Sequence, residues 1–167
     1  TGFLFRKQAG LRPDSTLPVI KTDLQTLNLS EDLLVWFGHS SYLIQMEGKR
    51  LLVDPVFCTA APVSFVNKPF KGTEVYRPED MPDIDWAILE NGQYNEGWKY
   101  IHLMPGYMAA VARELKAAKI LTVHHSKYAL ATHPWDEPLK NARRMRDRDS
   151  LPVVIPQIGE VVNMTGH

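Results

Sequence analysis

Hydrophobic and polar positions alternate over three short runs in the first third of the chain, and this period of two predicts β-strands. The runs cover 33–37, 42–47 and 49–54, and Gly48 supplies a turn between the last two. A fourth run, at 86–89, is apolar throughout, which is typical of a buried strand. We therefore expect these four segments to form much of the core.

After Pro105 the period changes to that of an amphipathic helix, and proline suits a first helical turn. The apolar residues at the helical spacing are Met108, Val111, Ala112 and Leu115. A β-branched strand at 120–123 follows, so the order strand, helix, strand predicts a parallel crossover in an α/β protein. A second helix is predicted at 135–148, and terminal strands at 153–155 and 160–162.

Two segments rich in proline and polar residues lie outside these elements. Residues 1–32 predict an extended N-terminal arm, and residues 55–82 predict a long irregular loop. With 44% hydrophobic and 23% charged side chains among 167 residues, the chain can bury a core. We expect a single domain over residues 1–167.

The charge and cysteine content exclude several classes of function. Nineteen basic and nineteen acidic residues cancel, so no overall field attracts nucleic acid, and no nucleic-acid partner is expected. The arginines at 143–148 have acidic neighbours, which favours a solvated helix face over a phosphate or lipid-headgroup site. The single cysteine, Cys58, excludes a disulfide framework and a zinc ribbon.

No apolar run reaches the roughly 18 residues that span a bilayer. Because the chain starts at Thr1, an upstream signal or anchor is compatible with it, which leaves the compartment open between cytoplasm and membrane surface.

The candidate chemistry lies in six histidines and two acids at strand ends: His39, His102, His124, His125, His133, His167, Asp54 and Glu90. No pair has the i, i+4 spacing of a helix-borne zinc site. His124 and His125 end the 120–123 strand, where ligands collect in open α/β sheets, so a functional and a structural role are both open. Strand alternation predicts their side chains on opposite faces.

For the other histidines, the residues alone give weaker support for a functional role. His39 lies in a turn, which favours a structural role. His102 and His133 each precede a predicted helix, where an imidazole could cap the helix or line a cleft.

Two parts of the chain resemble one enzyme family. The first has Val-Trp-Phe-Gly-His-Ser-Ser-Tyr at 35–42 and Leu-Val-Asp-Pro-Val-Phe at 52–57. The second has Asp-Trp-Ala-Ile-Leu-Glu-Asn-Gly-Gln-Tyr-Asn at 85–95, and continues through 101–105, 123–124 and 133–138. Together they resemble the opening and closing parts of bacterial relatives of N-acylphosphatidylethanolamine-hydrolysing phospholipase D, a branch of the metallo-β-lactamase-fold hydrolases.

This resemblance implies an αββα sandwich in which two halves enclose a zinc pair. The family's His-x-His-x-Asp-His motif follows a strand like 82–85, whereas this chain passes directly into the segment at 90–93. The sandwich is therefore expected to be incomplete, with 33–85 matching the first part of the family and 86–167 the last. A missing segment exposes apolar strand faces, so a homodimer that completes the sandwich is expected.

Residue by residue, the resemblance makes His124 a metal ligand, His102 a histidine of the catalytic centre, and Asp54 an acid that orients the site. Zinc is the implied cofactor, with two ions in an intact relative. The implied substrate is a small or lipid-like phosphodiester, or a related ester.

Catalytic zinc needs three protein ligands, and His124 supplies one, so the chain by itself is expected to lack the metal pair and to be inactive. A metal-dependent hydrolase whose polypeptide includes the missing ligands is the first hypothesis, and a shortened inactive homologue that binds or scaffolds a partner is the second. A site built from His124 with His102, His133 or Glu90 is the minor alternative.

Overall fold

One mixed sheet and two α-helices make up the computed structural model, which describes residues 13–57, 70–96, 102–128 and 130–165. The six strands of this part lie in the sheet in chain order: β1 (Leu33–Gly38), β2 (Ser41–Met46), β3 (Lys49–Val53), β4 (Trp86–Glu90), β5 (Lys119–Val123) and β6 (Val153–Val154). The helices follow the fourth and fifth strands: α1 (Pro105–Leu115) and α2 (Glu137–Asp147). Two 3-10 turns, Leu24–Thr26 and Pro78–Asp80, complete the regular structure described.

Strand pairing changes from antiparallel to parallel in the middle of the sheet. β1, β2 and β3 pair antiparallel, and β3 to β6 pair parallel. Glu47 and Gly48 both have positive φ, 49° and 72°, as a two-residue hairpin turn requires. The β4, α1, β5 unit is the predicted parallel crossover, so the α/β class is confirmed.

One face of the sheet is covered by the helices and the N-terminal segment. Leu43, Leu52, Ala87 and Ile120 have no exposed surface, and they pack with Met108 of α1. Burying one such leucine or isoleucine contributes about 1.5–3 kcal/mol, so this layer holds the sheet to the helices. Further members of the same core come from α2 and from the N-terminal segment: Ala142, Met145 and Leu24.

The opposite face is apolar and less covered. The register places Leu34 beside Ile44, and Ile44 beside Leu51, on this side. Leu34, Trp36 and Met46 are 60%, 67% and 54% exposed. These apolar side chains form the open face of the sheet.

The predicted strands and helices before residue 155 are confirmed, with ends that differ by one or two residues. The strand predicted at 160–162 is wrong: this segment has no regular structure, and Val161 is 91% exposed. β6 has only two residues, and none of the six strands described pairs with 160–162. The 157–159 turn is present, since Glu160 N–H donates to the Gln157 carbonyl.

The N-terminal arm and the irregular loop are described only in part. Residues 1–12, Cys58 and the rest of 58–69 lie outside the described residues. Within 13–32, the Leu24–Thr26 turn buries Leu24 in the core, which ties this part of the arm to the sheet. In the described part of the chain, neither helix has the length and apolar character that a membrane crossing requires.

The expected homodimer stays a prediction, and the open face gives it a specific form. Two sheets bury such faces by packing about 10 Å apart, so we expect two copies to associate through them. Leu34→Glu places a charge in this face and should convert the dimer to a monomer by light scattering. Ile20→Glu, at an 86% exposed position outside the sheet, is the matched control. A monomeric wild-type chain would contradict the prediction.

Candidate metal centre

Three possible metal ligands converge at the carboxyl ends of β4 and β5. Glu90 is the last residue of β4, His124 follows β5 directly, and His102 precedes α1. Each offers one ligand atom, and the three atoms lie within 4.8 Å of one another. The structure thus brings together His102 and His124, which the resemblance selected, with Glu90, which was a candidate at a strand end.

The Glu90 carboxylate lies at the centre of this cluster. Its Oε2 accepts a hydrogen bond from His102 Nδ1 at 2.9 Å and lies 3.5 Å from His124 Nδ1. Its other oxygen accepts the backbone N–H of Leu103, so the carboxylate is fixed by the chain that enters α1. The exposed fraction rises from 15% for the Glu90 side chain to 27% for His102 and 40% for His124. The cluster is therefore open to solvent on the side of His124.

The strand register explains why Glu90 and His124 meet. β4 and β5 are parallel, and Glu90 pairs with Val123, so both strands end at the same level. His124 then turns into the left-handed region with φ of 68°, which ends the strand alternation. Histidine is among the residues that tolerate this conformation best.

His125 takes a different direction from His124, although the left-handed His124 has already ended the strand alternation. Its Nε2 lies 3.0 Å from the Thr122 hydroxyl and its Nδ1 lies 2.7 Å from the Ser126 hydroxyl. Burial lowers the pKa of His125. The hydrogen bond with the Thr122 carbonyl opposes this shift, and the nearby His124 lowers the pKa further. His125 is therefore bound to its own turn, whereas His124 faces Glu90.

The remaining histidines do not join the cluster. His133 Nε2 accepts the Gln93 backbone N–H at 2.9 Å. His39 has φ of 51° in the turn between β1 and β2, and its carbonyl accepts from Trp36 Nε1, which agrees with a structural role. His167 lies outside the described residues.

Asp54 is bound to a neighbouring turn. Its Oδ2 accepts the Ser40 hydroxyl at 2.5 Å, and its backbone N–H donates to the Ile88 carbonyl. The hydrogen bonds of the described residues do not connect Asp54 to the cluster, so its orienting role stays a prediction. The group that orients Glu90 is the Leu103 N–H, which sequence reasoning missed because backbone donors carry no residue signal.

A buried polar network lies next to the cluster and was also missed. Tyr94 donates to Glu137 at 2.7 Å and accepts from Asn141 at 2.9 Å. Burial, aided by Glu137, raises the pKa of Tyr94 well above its ordinary value, so the hydroxyl keeps its proton. Asn91 donates to the Pro138 carbonyl at 2.8 Å. The segment after β4 is thereby fixed to α2.

The donor set fits a zinc ion. Two imidazoles and one carboxylate are the three protein ligands of a common catalytic zinc type, which keeps a fourth position open. Zinc bonds of about 2.0–2.2 Å place tetrahedral ligand atoms roughly 3.3 Å apart. Glu90 Oε2 lies 2.9 Å and 3.5 Å from the two imidazole nitrogens, and all three ligand atoms lie within 4.8 Å of one another. The Leu103 N–H holds the second carboxylate oxygen, as metal-binding carboxylates require.

Comparison with known proteins gives partial relatives. Over 88 residues the chain is 35% identical to N-acyl-phosphatidylethanolamine-hydrolyzing phospholipase D 1 of Caenorhabditis elegans, a match that covers 49% of this chain and 24% of that protein. Over 46 residues it is 46% identical to the outer membrane protein RomA of Klebsiella pneumoniae, a match that covers 28% of this chain and 35% of that protein. No family model matches.

The chain is thus a partial homologue of the nematode phospholipase D, and it spans about a quarter of that relative's length. Among solved structures, a protein of Thermotoga maritima described as a Zn-dependent hydrolase of the metallo-beta-lactamase superfamily overlaps 64% of this chain and 84% of its own. The TM-score is 0.31 and the identity 16%, so the overlap does not assign the strand arrangement.

Gly92 is required where the segment after β4 passes the His124 backbone. A Cβ at this position would lie 2.1 Å from the His124 carbonyl oxygen and 2.9 Å from its carbonyl carbon, so one of the two backbones would have to shift. Gly92→Ala should therefore lower the free energy of unfolding by about 1–3 kcal/mol, measured by urea denaturation.

Gly106→Ala is the control for this substitution. Gly106 lies in α1, and a Cβ added there would have no neighbouring atom within 4 Å, so alanine should leave stability unchanged or raise it by up to about 1 kcal/mol. Equal effects of the two substitutions would show that the close approach at Gly92 is not the cause.

Proposed function

We propose that this chain carries a zinc-binding hydrolase centre in which Glu90, His102 and His124 hold the ion and the substrate is a phosphodiester or a related ester. The observation that carries the proposal is the convergence of these three donors at the carboxyl edge of the sheet. Ligand sites of open α/β sheets lie at that edge. The partial similarity to the nematode enzyme supports the same class of chemistry.

A zinc ion at such a site supplies a Lewis acid that polarises the bond to be broken and activates water as the nucleophile. The protein's part is to hold its donors in place. Glu90 is fixed through Leu103, and His102 is fixed through Glu90. An imidazole binds a metal only in its neutral form, so metal uptake should weaken as the pH falls.

The charge of the site favours an anionic substrate. Glu90 neutralises only one of the two charges of a divalent ion, and both imidazoles are neutral when they bind metal. The centre therefore keeps a positive field toward solvent, on the side where His124 is 40% exposed. A phosphodiester approaching from that side would be attracted.

The alternative function is an inactive homologue that binds or scaffolds a partner. It is favoured by one feature of the cluster: the 2.9 Å contact between His102 and Glu90 satisfies both groups without an ion. The two functions differ in whether the wild-type chain takes up zinc.

Zinc titration of the metal-free chain tests the site. We expect one ion per chain by calorimetry. Loss of a residue that only hydrogen-bonds to a metal ligand lowers metal affinity by roughly 10- to 100-fold. Glu90→Gln and His124→Ala each remove a ligand itself, so each should weaken zinc binding by more than this. His39→Asn is the matched control, because it changes a histidine in a left-handed turn outside the cluster.

Hydrolysis of bis(p-nitrophenyl) phosphate and p-nitrophenyl acetate by the zinc-loaded chain tests the activity. Turnover of either that is lost in Glu90→Gln supports the hydrolase and identifies the bond class. Zinc binding without turnover of either substrate would contradict the proposed hydrolysis and leave the metal centre standing. A wild-type chain that binds no zinc would overturn the metal centre itself.

A further inference from the structure

The loop that carries His124 is tied together by the side chain of Gln93. Its Nε2 donates to the His124 carbonyl at 3.1 Å and to the Tyr128 carbonyl at 3.0 Å. Its Oε1 accepts the Leu130 backbone N–H at 2.7 Å. A single amide therefore links the start of this loop to positions four and six residues further along.

The backbone of Gln93 extends this connection to the end of the loop. Its N–H donates to His133 Nε2 at 2.9 Å, so the His133 proton lies on Nδ1 and donates to the Pro134 carbonyl at 2.9 Å. We call the side chain and backbone N–H of Gln93 the Gln93 clamp. The clamp contacts both ends of the 124–133 loop.

The clamp rests on a rigid support. The preceding residue, Gly92, lies against the His124 carbonyl, and Asn91 N–H donates to the Val123 carbonyl at 2.9 Å. The following residue, Tyr94, is bound to Glu137 and Asn141 of α2. Gln93 is thus held from both sides, with φ of 60°.

His124 needs such a hold because of its own backbone. A left-handed conformation of a non-glycine residue costs free energy, so it persists only where surrounding contacts hold it in place. The conformation directs the His124 imidazole toward Glu90, and the carbonyl of the same residue is the one that Gln93 and Gly92 contact.

We infer that Gln93 is a positioning residue for the metal ligand His124. The inference rests on the proposed zinc centre and deepens it: the amide fixes the His124 peptide, and the fixed peptide holds the imidazole at the metal. The clamp acts through the backbone and does not touch the ion or the substrate.

The amide group explains why glutamine serves here. It offers two N–H donors and a carbonyl acceptor at once, which matches two carbonyls and one N–H of the loop. A glutamate in its place would keep the contact with Leu130 but present acceptors to the carbonyls of His124 and Tyr128. Gln93→Glu should therefore disturb the loop more than Gln93→Ala.

Cobalt titration of the metal-free full chain tests the inference, with Co²⁺ as a visible substitute for zinc. We expect Gln93→Ala to weaken Co²⁺ binding by about 10-fold or more, and Gln93→Glu further, with a changed cobalt absorption spectrum in both. Gln25→Ala is the matched control, because Gln25 also donates to a backbone carbonyl, that of Met81, but outside the site. It should leave Co²⁺ affinity and spectrum unchanged.

Thermal unfolding of the metal-free variants separates positioning from a purely structural role. Positioning predicts weaker metal binding by a chain whose Tm shifts by no more than about 4 °C. If Gln93→Ala does not fold, Gln93→Met keeps the side-chain volume without the hydrogen bonds and takes its place.

Wild-type Co²⁺ affinity and spectrum in the folded Gln93 variant would overturn the inference and leave the zinc centre standing. A wild-type chain that binds no Co²⁺ would overturn both. Metal binding that depends on Gln93, without hydrolysis, would support the inference and contradict the hydrolase.

Discussion

The parallel pairing of β4 with β5 is the constraint on which the site depends. It brings Glu90 level with Val123, so that the next residue, His124, lies beside the carboxylate. The same pairing presses Gly92 against the His124 carbonyl. A shift of one residue in this register would turn every side chain of one strand to the other face and separate the two ligands.

Left-handed backbone recurs where strands of this sheet end. His39 follows β1, Asp54 follows β3, Gln93 lies three residues after β4, and His124 follows β5. Each turns the chain sharply at the edge where the polar side chains collect. Such conformations cost free energy and tend to occur at functional positions, where surrounding contacts hold them. At His124 those contacts come from Gln93 and Gly92.

The two faces of the sheet differ in how far they are covered, and Glu90 lies on the less covered face. The helices and the N-terminal segment cover one face, whereas Leu34 and Trp36 leave the other apolar and exposed. Strand alternation places Glu90 on the same side as Ile88 and Trp86, which belong to the open face. Trp86 is buried, whereas Leu34 and Trp36 are exposed, so the cluster lies toward the better covered end of this face.

The amino-acid sequence determined the local elements and included all three cluster residues among its candidates. Alternation and helical spacing predicted the strands at 33–54 and 86–89 and the helix after Pro105, because each pattern reflects burial of one face. His102 and His124 were recognised because their neighbouring residues resemble a family. The prediction of a strand at 160–162 was wrong, because an alternating pattern forms a strand only where a neighbouring strand offers hydrogen bonds.

Only the tertiary structure decided which side chains meet. Glu90 lies 12 residues from His102 and 34 from His124, so nothing in the local pattern joins them. The roles of Gln93 and Leu103 depend on hydrogen bonds with backbone atoms. Every residue has these atoms, so the residue types do not predict such contacts. Register, a close backbone approach and a left-handed turn are set by packing of the whole sheet, and these decided the site.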